Sequence, residues 1–204
     1  MLMNRLAIAA VGLALMTAPA ALAQMPVLKV LPDPKDAPAG AYKLDPRHAS
    51  ATIKLAHMGL SHYTMRFDTI SGQYVYDPAH PATTQLSIAI DPTSIDTNDP
   101  KFNAEIAEKF LEAGKFPTLT FTSTRIVPGP DGRGEVEGVL NFHGVQKPVV
   151  LHVAYRGFVE MMHQQRMGFS GETSFKRSDF GAGAYVPVVG DEVTVLIEVE
   201  FVKQ

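Results

Sequence analysis

The side chains that most often do chemistry are present in this chain, but few have the spacing of a reactive or metal-binding site. The 204 residues include seven histidines, at positions 48, 57, 62, 80, 143, 152 and 163, and none of these lie two, three or four residues apart. Histidine pairs on one face of a strand or helix are therefore missing. The chain has no cysteine, which excludes disulfides, thiolate metal sites and a cysteine nucleophile.

A methionine-rich segment offers metal ligands of another kind. It reads Met161-Met162-His163-Gln164-Gln165-Arg166-Met167. Thioether and imidazole groups suit copper(I), but methionine also fills irregular space at a hairpin tip. A metal (copper) or electron-transfer accessory protein is therefore the alternative interpretation of this sequence.

The motifs of common enzymes are incomplete. Asp179-Phe180-Gly181 spells the kinase tripeptide, but no glycine-rich phosphate loop or catalytic-loop motif accompanies it. Gly59-Leu60-Ser61-His62-Tyr63 lacks the final glycine of a nucleophile elbow. We expect no catalytic residues and no enzyme activity.

The first 23 residues are typical of a secretory signal peptide. Arg5 precedes the apolar run Leu6–Met16, and Ala21-Leu22-Ala23 forms a small-residue cleavage site. The run is shorter than the ~20 residues that span a bilayer. We predict cleavage after Ala23, a periplasmic product and no integral membrane segment in the mature chain.

Composition and prolines divide the rest of the chain. Residues 24–40 contain four prolines, which predicts an extended, flexible leader before one folded domain over 41–204. The full chain has 18 basic and 21 acidic side chains, so we expect no nucleic-acid partner.

From Tyr42 onward the apolar residues repeat with a period of two, which indicates strands with one apolar face. Asp77-Pro78, residues 128–132 and Gly144 mark turns between them. The alternating apolar sets are Ala49, Ala51, Ile53 and Leu55; Leu86, Ile88 and Ile90; Leu119 and Phe121; Val136, Leu140 and Phe142; Val149, Leu151, Val153 and Tyr155; and Val193, Val195, Ile197, Val199 and Phe201.

One segment has helical spacing instead. Asn98-Asp99-Pro100 can cap a helix that Gly114 ends. Phe102, Ile106 and Phe110 then form one apolar stripe. This amphipathic helix either packs as ordinary core, which we favour, or forms a lid over a cavity.

About seven or eight strands require an architecture that removes sheet edges. A closed antiparallel barrel does so, and at about eight strands its interior is filled or holds one small ligand. Ala49, Ala51, Gly138 and Gly171 share the phase of large apolar residues; they leave space inside or accommodate neighbouring bulk. A two-sheet sandwich is the other architecture, and a filled barrel would act as an interaction module.

Motifs in order along residues 42–202 resemble the YceI-like family. They begin with Tyr42-x-Leu44-Asp45-Pro46-x-His48 and Ile53-x-Leu55-x-His57, and continue with Phe67-x-x-Ile70-x-Gly72 and Ser94-Ile95-Asp96-Thr97. The later ones are Phe116-Pro117-x-Leu119-x-Phe121, Gly138-x-Leu140-x-Phe142-His143-Gly144, Lys176-Arg177-Ser178-Asp179-Phe180-Gly181 and Val189-Gly190-Asp191.

The resemblance implies a mainly β fold, a closed antiparallel lipocalin-like barrel with one helix. It implies non-catalytic binding, storage or transport of a long isoprenoid-type lipid, polyprenyl or quinone-like, in an apolar tunnel; no cofactor is required, and a homodimer is left open. The residues expected to line the tunnel are Ile53, Leu55, His57, Leu86, Ile88, Leu119, Phe121, Leu140, Phe142, Leu151, Val153, Phe169, Val195 and Ile197.

Two polar elements are candidates for a headgroup contact. Lys176 and Arg177 can hold a phosphate or quinone oxygen at the rim, or form a solvated turn near Asp179. His57 lies in phase with the apolar face, where it points a donor into the tunnel or is a satisfied buried histidine.

Overall fold

A computed structural model describes residues 28–80 and 83–204. In this part of the chain, alternating apolar and polar residues form ten strands, joined in antiparallel pairs. They are β1 (Gly40–His57), β2 (Ser61–Phe67), β3 (Ile70–Tyr76), β4 (Gln85–Ile90), β5 (Ile95–Asp96), β6 (Leu119–Pro128), β7 (Arg133–Phe142), β8 (Val145–Met161), β9 (Gln164–Lys176) and β10 (Val189–Lys203).

Eight of these strands form a closed ring. The order is β1-β3-β4-β6-β7-β8-β9-β10, and β10 pairs back onto β1 along most of its length. Closure removes the unpaired edges that an open sheet presents. The structure confirms the predicted mainly β, lipocalin-like barrel of about eight strands with one helix.

The long strand β1 pairs with β10 on one side and with two strands, β3 and β2, on the other. Its first residues, 40–43, pair with β3, and residues 51–57 pair with β2. The register with β10 shifts between Leu44 and Ala49, as at a β-bulge, which bends a strand. Strand β2 carries the two-residue strand β5 on its other side.

Two of the small residues have different roles. A side chain on Gly138 would collide with the Phe121 ring, 2.3 Å from the nearest ring atom, so Gly138 makes room for Phe121. At Gly171 the nearest atoms, in Ile197 and Val153, would be 3.6 Å away, and this glycine faces the interior space. The sequence pattern left open whether such residues leave space inside the barrel or make room for a large neighbour. Gly171 leaves space, and Gly138 makes room for a neighbour.

The helical segment begins as predicted and ends earlier. Helix α1 (Pro100–Glu105) starts with Asp99 as its N-cap, whose carboxylate accepts a hydrogen bond from the Lys101 backbone N–H at 3.0 Å. A single π-turn, Ile106–Phe110, continues it. The predicted end at Gly114 is wrong, because the chain leaves the helix after Phe110 and turns at Glu112, where φ is +45°. No helix in the described residues is both long and apolar enough to cross a bilayer.

Part of the proline-rich segment packs on the barrel, which differs from the flexible leader expected over 24–40. Leu31 and Phe158 exchange two backbone hydrogen bonds of 2.9 Å. A 3-10 turn follows at Pro34–Asp36, and Ala37 is 1% exposed. We call residues 31–38 the strap. Its order comes from tertiary contacts that composition does not reveal. The predicted signal peptide, 1–23, lies outside the described residues.

Candidate functional site

The barrel encloses an apolar cavity of about 1490 Å³ that extends from one end of the ring to the other. Ordinary small-molecule pockets measure roughly 300–1,000 Å³, so this space suits a longer ligand. The barrel is therefore not the filled one considered from sequence. Every residue expected to line a tunnel does line the cavity: Ile53, Leu55, His57, Leu86, Ile88, Leu119, Phe121, Leu140, Phe142, Leu151, Val153, Phe169, Val195 and Ile197. Their contact with a ligand stays a prediction.

The two ends of the cavity are formed by different elements. At one, which we call the strap end, the strap bonds to β1 and β3 and lines the cavity together with the turn between β6 and β7. At the other, the helix end, α1 and its π-turn meet the loop of residues 181–188 and the last residues of β1. The antiparallel order of the strands puts these two sets of turns on opposite rims.

Aromatic side chains crowd the strap end. The Tyr74 ring lies 5.4 Å from the Phe169 ring and 5.6 Å from the Phe201 ring, measured between centroids. Tyr155 packs edge-on against Phe169 at 5.5 Å. Rings at such distances and tilts attract each other through their quadrupoles. They form a flat-walled compartment at this end of the cavity.

Tyrosine hydroxyls hold the strap over this compartment. The Tyr76 hydroxyl donates to the Pro34 carbonyl at 2.7 Å, and the Tyr42 hydroxyl donates to the Pro38 carbonyl at 2.6 Å. Burial, with a smaller effect of Tyr76, raises the pKa of Tyr42 to about 12. Both hydroxyls tie the strap to strands of the ring.

The Tyr155 hydroxyl has no such partner. Its oxygen is buried without a hydrogen bond to any of residues 28–80 and 83–204. Burial, reinforced by Tyr76, raises the pKa of Tyr155, and burial also raises the pKa of Tyr74. Both groups therefore stay protonated at neutral pH and can donate hydrogen bonds.

At the helix end the two predicted headgroup residues lie in different environments. Arg177 is 6% exposed and lines the cavity, whereas Lys176 is exposed and does not. The Arg177 guanidinium donates to the backbone carbonyls of Ala182, Ala184, Val189 and Gly190. Four of its five N–H donors are thus used by the protein.

These bonds make Arg177 the anchor of the loop at the cavity rim. Burial lowers the pKa of the Arg177 guanidinium, and nearby Asp191 opposes this shift. Asp191 itself accepts hydrogen bonds from the Ser178 backbone N–H and hydroxyl at 2.9 and 2.7 Å. The headgroup role of Lys176 and Arg177 stays a prediction; the observed bonds are those of a loop support.

The helix contributes aromatic contacts at the same end. Phe110, in the π-turn, packs against Tyr185 of the loop at 5.6 Å between ring centroids. Phe102 meets Tyr63 of β2 edge-on at 5.7 Å. Phe102, Ile106 and Phe110 all line the cavity, so the stripe packs as core and covers the cavity at once. His57 lies half-buried on this part of the wall.

The methionine-rich segment is divided between a turn and the cavity wall, since Met167 is 1% exposed and lines the cavity. Met162 and His163, with φ of +51° and +63°, form the two-residue turn between β8 and β9, as in type I′ hairpins. Met162 is exposed. In the described residues, no group of three or more His, Cys, Asp or Glu side chains could hold a metal ion.

Sequence reasoning missed the aromatic compartment. Tyr74 and Tyr76 follow Ile70 and Gly72 at a period of two, and this alternation could have assigned them to the inner face. Tyr155 already shared a phase with Leu151 and Val153. The loop-supporting role of Arg177 could not be read from the sequence, because its partners are backbone carbonyls, which every residue has.

Comparison with known proteins agrees with the barrel fold. A UPF0312 protein of Vibrio vulnificus is 35% identical over 177 residues, covering 84% of this chain and 92% of that protein. A UPF0312 protein of Vibrio cholerae is 35% identical over 156 residues, covering 74% and 82%.

Solved structures have the same fold. Burkholderia cenocepacia BcnA superposes with a TM-score of 0.68 at 26% identity, covering 77% of this chain and 98% of that one. A polyisoprenoid binding domain from Saccharophagus degradans gives a TM-score of 0.61 at 18% identity, covering 80% and 98%, which shows a common fold alone. The sequence model of the YceI-like domain matches residues 42–201, almost the whole barrel. Because the family model, the sequence relatives and the fold agree, this chain belongs to the YceI-like family.

Proposed function

We propose that this protein binds a long-chain isoprenoid-type lipid, polyprenyl or quinone-like, in its cavity and stores or carries it in the periplasm without catalysis. The observation that supports this most directly is the continuous apolar space of about 1490 Å³ inside the closed ring. The Saccharophagus degradans neighbour is named a polyisoprenoid binding domain, which agrees with a hydrocarbon ligand in a barrel of this kind.

The energetics favour such a ligand. Each CH₂ group transferred from water contributes ~0.8 kcal/mol, so a long hydrocarbon binds tightly with few polar contacts. Leu86, Phe121 and Leu140 are examples of the side chains that would contact it along the wall. The closed ring of strands shields the hydrocarbon from water around its whole circumference, as a carrier in an aqueous compartment requires.

The aromatic compartment supports a polar headgroup at the strap end. An unpaired buried hydroxyl such as that of Tyr155 costs about 1–3 kcal/mol, which an acceptor atom of the ligand would offset. The Tyr155 phenol is protonated at neutral pH, and burial raises its pKa further, so it donates. A neutral acceptor, for example the carbonyl of a quinone, meets this requirement.

The test is native mass spectrometry of the secreted protein, purified without delipidation, followed by solvent extraction of whatever it carries. We expect a stoichiometric isoprenoid species. Protein that carries no lipid and also refuses added polyprenyl and quinone compounds would overturn the proposal.

A matched pair of variants locates the lipid. Leu140 lines the cavity, and its neighbour Val139 faces away from it on the same strand, β7. Leu140→Arg should remove the co-purifying lipid, because an arginine in the apolar space is unpaired, whereas Val139→Arg should retain it. Equal retention by two folded variants would show that the lipid lies elsewhere.

A further inference from the structure

The rim at the helix end exposes a cluster of apolar side chains on two loops. Leu60 is 82% exposed and Tyr185 68%, and Met58, Val186 and Val188 are also exposed. The first loop connects β1 to β2, and the second is the loop of residues 181–188. They are adjacent, because the Met58 backbone N–H donates to the Val188 carbonyl at 2.8 Å. We call these five residues the apolar rim.

The backbone of the apolar rim is unfavourable for the residues that occupy it. Met58 and Tyr185 have φ of +56° and +63°, a region that glycine and asparagine enter more readily than bulky residues do. Two large apolar side chains are thus held in solvent at strained positions. Backbone strain of this kind clusters at functional sites.

The second loop is firmly held. Arg177 bonds the carbonyls of Ala182, Ala184 and Val189 on either side of Tyr185 and Val188. The apolar side chains are therefore presented on a supported backbone, as a docking element requires.

The apolar rim is continuous with the cavity. Tyr185 and Val188 line the cavity and are exposed at once, so apolar surface runs from the solvent into the barrel. The strap end differs: its lining includes the exposed charged residues Asp33, Lys35, Asp131 and Arg133. The strap also covers that end, through the Tyr76 and Tyr42 hydroxyls.

We propose that the apolar rim docks the protein on a lipid bilayer surface, with the helix end of the cavity facing the membrane. Leucine, valine and tyrosine side chains partition into the headgroup and acyl boundary of a bilayer. A lipid leaving the membrane at this mouth would enter headgroup first and bring its polar end to Tyr155. This last step rests on the proposed function, whereas docking does not.

The size and charge of the apolar rim favour a bilayer over a protein partner. Five side chains on two loop tips are few against the roughly 20–30 residues per side of a standard protein interface. The nearby helix and its π-turn carry two lysines and two glutamates, and Lys109 is paired with Glu105 at 3.0 Å, so they add no net positive charge there. Docking should therefore depend on apolar insertion, with little need for anionic lipids.

The test is flotation of the protein with phosphatidylcholine vesicles. Met58→Asn/Leu60→Asn is the informative variant, since neither residue lines the cavity and asparagine suits the positive φ at position 58. We expect vesicle binding to fall at least roughly tenfold, because the variant no longer buries the Met58 and Leu60 side chains in the bilayer. The control is Val150→Thr/Leu196→Thr, which removes two exposed apolar groups from the barrel wall and should bind like the unmodified protein.

Separate readouts keep docking and ligand binding distinct. The capacity for a polyprenol or quinone supplied in detergent should be the same in the Met58→Asn/Leu60→Asn variant, while transfer from vesicles slows. Unmodified protein that does not float, or that is released when NaCl rises from about 0.1 to about 1 M, would overturn the docking. So would a dimer that the variant converts to monomer, since the rim would then join two copies.

Discussion

At the scale of single residues, Arg177 supports the loop beside the cavity mouth with hydrogen bonds to four backbone carbonyls. Arg177→Met should lower the free energy of unfolding by at least about 2 kcal/mol, because it leaves one buried and three partly buried carbonyls without their donor, and a buried unpaired carbonyl alone costs about 1–3 kcal/mol. Urea denaturation measures this change. The control Lys176→Met, at an exposed position, should stay within about 0.5 kcal/mol. An unchanged unfolding curve for Arg177→Met, with loss of lipid, would instead assign the arginine to the headgroup.

Two tyrosines at the strap end should respond oppositely to removal of the hydroxyl. Tyr155→Phe deletes an unpaired buried oxygen, so the lipid-free protein should be as stable or up to about 1 kcal/mol more stable. Tyr42→Phe deletes the donor to Pro38 and should cost about 1 kcal/mol. Thermal unfolding of delipidated protein compares the two. Equal destabilisation would mean that Tyr155 has a partner after all.

At the scale of elements, Arg166 of β9 joins three strands where the ring closes. It donates to Asp45 of β1 at 2.7 Å and to Glu200 of β10 at 3.0 Å. Asp45 lies at the irregular stretch of β1 between Leu44 and Ala49, and His48 also contacts its carboxylate at 3.0 Å. The ion pairs thus hold a bent part of β1 against the last two strands.

This arrangement predicts a pH dependence. The hydrogen bond from Arg166 lowers the pKa of Asp45 to about 2. A carboxyl with a lowered pKa stabilises the fold fully above its unfolded value of about 4, and this contribution is lost as pH falls toward 2. We expect a loss on the order of 1–2 kcal/mol over that interval, and Asp45→Asn should flatten the curve. Denaturation at stepwise pH measures it; parallel curves for both proteins would contradict the assignment.

Sequence patterns predicted the elements that repeat and missed those that depend on single tertiary contacts. Alternation gave the inner faces of the strands, so residues such as Ile53 and Leu140 lie on the cavity wall. The cap at Asp99 was also readable, since capping is local. The order of the strap could not be predicted, because it depends on hydrogen bonds from the Tyr42 and Tyr76 hydroxyls. Tyr76 is distant from the strap in the sequence, and no local motif indicates either bond.

At the scale of the whole molecule, a ligand bound in the cavity should raise the free energy of unfolding of the barrel. A ligand that binds the folded barrel alone adds RT ln(1 + [L]/Kd), or ~2.7 kcal/mol at a hundredfold excess over Kd. Delipidated protein should therefore melt at a lower temperature than reloaded protein, and scanning calorimetry of both samples measures the difference. Leu140→Arg should show no such gain on addition of lipid, and a gain equal to that of the unmodified protein would contradict binding in the cavity.

The pairing of β1 with β10 also governs how the chain is assembled. Residues near position 42 must find partners near position 203, almost the full length of the barrel away, and loop closure over such a separation is slow. Until the last strand has been synthesised, β1 and β9 both present open edges to neighbouring chains. Loss of the fifteen residues of β10, Val189–Lys203, would thus turn one closed molecule into a sheet with two open edges, which is prone to aggregate.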